Sequence, residues 1–224
     1  MPRKILIVED ELSIQSVLKE LLSDAGYAVA AASDGEEGVR LFRQGGFDLV
    51  LLDIMLPGLD GFGVCRAIRS MGNTPVIMLT ALDEEEAQVR AFEMQADDYI
   101  TKPFSLKLVL LRVEAVLRRA TQNTADSGDA VLRFRNVRLD PQSREVSVDG
   151  SPVALTPLEY DLLYLLMKHP KRAFTRENLL NMVWGYHYIG DEKAVNIHIM
   201  NLRRKLGGDL IETVRGVGYR LAKD

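Results

Sequence analysis

Five short apolar runs, each followed by a segment of helical period, leave the first 120 residues few folds to adopt. The runs are Ile5–Val8, Tyr27–Ala31, Leu49–Leu52, Val76–Leu79 and Tyr99–Ile100. Between and after them, Leu12–Leu22, Glu36–Phe42, Phe62–Ile68, Glu84–Met94 and Leu106–Leu117 repeat apolar residues every three or four positions. Runs so short and so apolar are buried on both faces, as strands of a parallel sheet are when crossover helices cover it. The pattern predicts an α/β doubly wound sheet of five parallel strands over residues 1–120. In such sheets ligands sit beyond the carboxyl ends of the strands, where strand order reverses. Glu9, Asp10, Asp53, Thr80 and Lys102 stand at those ends.

The rest of the chain follows another plan. Thr121–Ala130 (TQNTADSGDA) is polar and aperiodic and reads as a flexible linker, able to span about 33 Å when extended. From residue 131 to 224, short alternating segments (Leu132–Leu139, Glu145–Val148) lead through an Asp149-Gly150 turn to Pro152–Leu155. Thr156-Pro157-Leu158-Glu159 opens a helix with an N-cap, a first-turn proline and a glutamate that reaches back; that helix runs to about Lys168. A second follows Thr175 to about Trp184, and a third runs from about Glu192 to Leu206. Ile211–Arg215 and Tyr219–Leu221 flank Gly-Val-Gly as a hairpin. Three helices and a hairpin are the parts of an α+β winged helix-turn-helix.

Charge divides along the same line. Residues 1–124 carry 13 Lys+Arg against 19 Asp+Glu, whereas 125–224 carry 15 against 13. A polyanionic partner therefore suits the second half better than the first. Cys65 is the only cysteine, which excludes an intrachain disulfide, and no apolar run approaches the roughly 18 residues of a membrane span. A cytoplasmic location and no membrane partner are expected.

Three convergent carboxylates repel one another, and a hard divalent cation relieves them. With only oxygen ligands on offer, Mg2+ suits Glu9, Asp10 and Asp53 better than zinc. Beside it the Asp53 carboxylate can act as nucleophile toward a phosphoryl group, with Lys102 and Thr80 stabilising the phosphoryl oxygens. Tyr99, at a strand, reads by itself as half-buried core.

Through ILIVEDE, LLDIMLPGLDG, PVIMLTA and DDYITKPF, residues 3–120 resemble the flavodoxin-like receiver domains of two-component response regulators. The resemblance implies phosphorylation at Asp53 by a sensor histidine kinase. It implies Mg2+ ligation by Asp10, Asp53 and the Met55 carbonyl, with Glu9 acting through water. Thr80 and Tyr99 then form a switch pair with Lys102 as phosphate sensor. Such domains catalyse only their own phosphorylation and dephosphorylation, so signalling rather than enzymatic turnover is the expected role. An aspartyl-phosphate phosphatase stays open as an alternative, although those of the haloacid dehalogenase type have an acid where this chain has Met55.

Val195, Ile199, Leu202 and Leu206 share one face of the third helix and should pack inward. Lys193, Ile197, Met200, Asn201 and Arg204 are then expected outside, where Ile197 and Met200 can meet thymine methyls and Asn201 or Asn196 an adenine edge. Through LTPLEYDLL, FTRENLLNMVWG, VNIHIMNLRRKL and ETVRGVGYRL, this half resembles OmpR/PhoB-type effector domains. That resemblance implies a recognition helix at Lys193–Leu206 and minor-groove insertion by Arg215. It assigns phosphate contacts to Arg176, Trp184, Lys193, His198, Arg203 and Tyr219. It further implies sequence-specific binding to double-stranded DNA at tandem half-sites, contact with RNA polymerase, and a homodimer when phosphorylated. For the dimer, Val89, Phe92 and Leu110 supply an apolar patch, and Asp98 with Arg112 and Glu93 with Arg119 supply ion pairs.

Overall fold

The computed structural model describes residues 2–80, 96–122, 130–185 and 193–223; the side chains of 119–122 and 193 also lie outside the description. The chain divides into two compact units, residues 1–117 and 118–224.

In the first unit, β1 (Lys4–Val8), β2 (Ala28–Ala32), β3 (Leu49–Asp53), β4 (Val76–Thr80) and β5 (Asp98–Thr101) form one parallel sheet in the order β2-β1-β3-β4-β5. Strand order reverses at β1, between β2 and β3. The sequence places its acidic residues there. Helices α1 (Leu12–Asp24), α2 (Gly35–Arg43), α3 (Gly61–Met71) and α4 (Leu106–Gln122) cover the sheet as far as the described residues run. Ile5, Ile7, Leu49, Leu51, Ile77 and Leu79 form a core with Leu18, Leu22, Val109 and Val113 of α1 and α4. The expected helix at 84–94 lies outside the described residues, as does most of the expected linker.

Helix starts are set by capping. The Asp34 and Asp60 side chains accept from the N–H groups of Glu37 and Gly63 and stop α2 and α3 from beginning earlier. Gly61 matters for the site. A Cβ there would lie 2.1 Å from the Asp53 carbonyl oxygen, so only glycine lets α3 begin against the end of β3.

The second unit opens with a four-stranded antiparallel sheet, β6 (Leu132–Phe134), β7 (Val137–Asp140), β8 (Glu145–Val148) and β9 (Ser151–Pro152). Helix α5 (Pro157–Lys168) carries the anticipated capping box: Thr156 Oγ1 accepts from Glu159 N–H while a Glu159 carboxylate oxygen accepts from Thr156 N–H. The second expected helix is only one turn of α-helix, α6 (Arg176–Leu179), before it widens into a π-helix at Leu180–Trp184 that Gly185 terminates at φ 101°. Periodicity does not distinguish these windings, because both bury Leu179, Leu180, Val183 and Trp184. The long helix α7 (Lys193–Leu206) precedes the hairpin β11 (Ile211–Val214) and β12 (Gly218–Leu221). A short strand that the sequence did not signal, β10 (Phe174–Thr175), pairs with β12. Gly218 permits this, since a Cβ there would meet the Phe174 carbonyl oxygen at 2.1 Å.

Candidate phosphoacceptor site and nucleic-acid interface

At the carboxyl edge of the sheet, β1 ends in Glu9 and Asp10, and β3 ends in Asp53. Ligand oxygens of all three lie within 4.8 Å of one another. Glu9 is fully buried, Asp53 is 3% exposed and Asp10 faces solvent. Lys102, one residue past β5, puts Nζ 2.6 Å from Asp53 Oδ2 and 2.9 Å from Glu9 Oε1. Asp53 Oδ1 accepts from the Met55 N–H at 3.0 Å, which fixes the carboxylate while the Met55 side chain stays exposed. Thr80 closes β4 and is buried; Tyr99 in β5 is buried as well. All-oxygen donors this close, two of them buried, suit a hard divalent cation.

Burial pushes the Glu9 carboxyl up to about 7, the Asp53 charge adding to the rise and the Lys102 hydrogen bond opposing it. Burial alone would depress Lys102, but hydrogen bonds and charge from Asp53 and Glu9 outweigh it and hold the ammonium above the ordinary lysine range. The ammonium thus lies between the two buried carboxylates and bonds to both.

On α7 the inward face is as expected: Val195, Ile199, Leu202 and Leu206 are buried. Arg204 is exposed, Ile197 is half-buried and Met200 is 42% exposed. Asn201 requires a correction. It is 0% exposed, because a second inward stripe runs through Ala194, His198, Asn201 and the partly covered Lys205. Its Oδ1 accepts from Arg204 at 3.3 Å, and Lys205 reaches Glu159 of α5 at 2.7 Å. Polar residues on that stripe hid it from a hydrophobic-period reading. His198 and Trp184 (1% exposed) are likewise core, packed edge to face at 5.5 Å, rather than open to a phosphate.

Asn196 sits at a junction. Its Oδ1 accepts from Arg176 Nε at 2.7 Å and from the Tyr219 hydroxyl at 2.8 Å, so its amide has no free acceptor for an adenine edge. Arg203 donates to the Ile211 carbonyl at 2.9 Å and to Thr213 Oγ1 at 2.8 Å, tying α7 to the hairpin. Both Arg176 and Arg203 stack on the Tyr219 ring. Arg215 is exposed beside Gly216, which takes φ 72° at the hairpin tip. The Lys193 side chain lies outside the described residues.

Of the residues expected at a dimer interface, Val89, Phe92, Glu93 and the Arg119 side chain also lie outside. Asp98 and Arg112, expected to pair across the interface, pair within the chain at 2.6 Å and are buried; Leu110 packs partly against the core. The short reach from β5 to α4 satisfies both charges locally.

An acid-lined parallel sheet carried on the same chain as a winged helix defines a signal-receiving transcription regulator. Residues 5–114 match the response regulator receiver domain, and residues 150–221 match the transcriptional regulatory protein C-terminal domain. The transcriptional regulatory protein ResD of Bacillus subtilis is 44% identical, across 97% of this chain and 95% of its own. The regulatory protein VanRB of Enterococcus faecalis is 44% identical, across 99% of this chain and 98% of its own. The response regulator DrrB, a Thermotoga maritima OmpR/PhoB homolog, superposes with a TM-score of 0.53 at 30% identity over the whole of both chains. The chain belongs to the OmpR/PhoB-type two-component response regulators. It pairs a receiver with a DNA-binding effector domain and acts as a transcription regulator. No helix among the described residues is long and apolar enough to cross a membrane.

Proposed function

We propose that Asp53 accepts the phosphoryl group of a sensor histidine kinase and that the acyl phosphate switches DNA binding by the second unit. The observation that carries this is the Asp53 carboxylate, held between Met55 N–H and Lys102 Nζ within 4.8 Å of Glu9 and Asp10. One Asp53 oxygen attacks phosphorus, the bond from phosphorus to the donor breaks, and the displaced group leaves with its electron pair. Lys102 then exchanges its contact with the free carboxylate for one with the phosphoryl oxygens, and Thr80 offers a hydroxyl from the adjacent strand. Tyr99 follows Thr80 as the second half of the switch. Asp10, Asp53 and the Met55 carbonyl, with Glu9 through water, are the residues that would hold Mg2+. The ion supplies charge neutralisation for the transferring group. The role is signalling without turnover of a small substrate, in the cytoplasm.

Because Glu9 has its carboxyl raised to about 7, protons compete with the cation. Mg2+ affinity is expected to fall as pH drops through about 7 and to level off above about 8, binding releasing a proton below that range. Fluorescence or calorimetric titration across pH checks this; an affinity independent of pH would contradict it.

The kinase meets an apolar face beside the site. Leu12 and Val17 of α1 are exposed, and Ser13, Ile14, Val17, Phe104 and Leu106 line a groove of about 270 Å³. Val17, at 43% exposure, can be changed without disturbing the core. Val17→Glu is expected to slow phosphotransfer from a kinase by an order of magnitude or more while leaving labelling by acetyl phosphate intact. Equal loss with both donors would show damage to the site instead.

Base reading falls to Ile197, Met200 and Arg204, with Arg215 in the minor groove and Arg176, Lys193, Arg203 and Tyr219 toward phosphates at tandem half-sites. Phosphorylation favours a homodimer using Val89, Phe92 and Leu110, and RNA polymerase is the downstream partner. Titration of target and scrambled duplexes with and without beryllofluoride tests the function. Binding to the target should tighten with the phosphate mimic; unchanged binding would refute phosphate control.

A further inference from the structure

We propose that the second unit carries a binding site for an organic anion with an apolar body, separate from the surface presented to DNA. A cleft of about 620 Å³ lies where β6, the turn after α5 and the end of β12 meet. Arg133, Lys171, Arg220 and Lys223 line it together with Phe134 and Leu221, and no residue of α7 or of the hairpin tip does. Arg220 pairs with Glu212. Among the described residues, no carboxylate pairs with Arg133, Lys171 or Lys223, and all three are exposed.

Three cations with no carboxylate partner among the described residues line one hollow, and an anion seated between them would offset their mutual repulsion. The floor limits which anion. Leu221 is buried and Phe134 is half-buried, so the base of the cleft is an apolar surface beneath a cationic rim. Inorganic phosphate would leave this floor uncovered, and a neutral hydrophobe would leave the cations unpaired. A flat carboxylate or sulfonate satisfies both, and the volume falls in the range of small-molecule sites.

The probe is 1-anilinonaphthalene-8-sulfonate, titrated by fluorescence into the full chain. One saturable site is expected, weakened by added salt. Arg133→Glu together with Lys171→Glu should lower the affinity at least about tenfold, which is 1.4 kcal/mol. Because neither side chain makes an ion pair among the described residues, circular dichroism melting should be unchanged, and Phe134→Ala gives an independent second variant that should also weaken the probe. Saturating target duplex should leave probe binding intact. Affinity unaffected by the double variant would overturn the proposal. So would equal binding of uncharged 1-anilinonaphthalene, or stoichiometric displacement by DNA, which would make the cleft part of the nucleic-acid surface.

Discussion

Asp53→Asn is expected to abolish phosphorylation by kinase or acetyl phosphate while leaving the fold intact. Asparagine keeps the shape and still accepts from Met55 N–H, but its amide is no nucleophile toward phosphorus. The loss of charge also changes the neighbours in a checkable direction. The Asp53 charge helps raise Glu9, so in the variant the Glu9 carboxyl should titrate below its value of about 7, with Lys102 still bonded to it. NMR titration of Glu9 reads this. A stable variant that still takes phosphate at the same position would remove Asp53 from the mechanism.

The second large effect is in the effector unit. Trp184→Ala should destabilise that unit by about 3 to 5 kcal/mol, the usual cost of emptying a buried aromatic site. Trp184 is 1% exposed and its indole packs on His198 of α7, so the cavity opens directly behind α7. DNA binding should fall on every sequence and the effector melting transition should drop, while Asp53 phosphorylation persists. Were Trp184 a phosphate contact instead, affinity would fall with melting unchanged. Thermal melts alongside duplex titrations separate the two.

These placements show which physical signals the sequence carries. The receiver was legible because its strands are short apolar runs, and four of the five lead into a residue with distinctive chemistry, so naming Glu9, Asp10, Asp53, Thr80 and Lys102 required only the ends of those four. What linear reading missed were side chains whose polarity disagrees with their burial. His198, Asn201 and Lys205 form an inward stripe on α7 that a hydrophobic pattern assigns to the surface, and Lys205 is drawn in by Glu159 from 46 residues away. Asn196 was legible as a base reader by residue type, yet Arg176 and Tyr219 already occupy its acceptor. Asp98 and Arg112 show the same effect: complementary charges identify a pair but not whether it closes within one chain or between two.

The corrected face of α7 alters how affinity and readout should divide. Arg203→Ala should weaken target and random duplexes alike and reduce the salt slope by about one contact. Met200→Ala should cost about 1 kcal/mol on the target alone, the scale of one or two buried methylene-sized contacts.

The most direct test of the central claim is intact-mass measurement of the full chain after incubation with acetyl phosphate and Mg2+. Phosphoacceptance at Asp53 predicts a gain of one phosphoryl group, lost on treatment with hydroxylamine and absent from Asp53→Asn. No gain in mass, or a gain that survives hydroxylamine or the substitution, would contradict it.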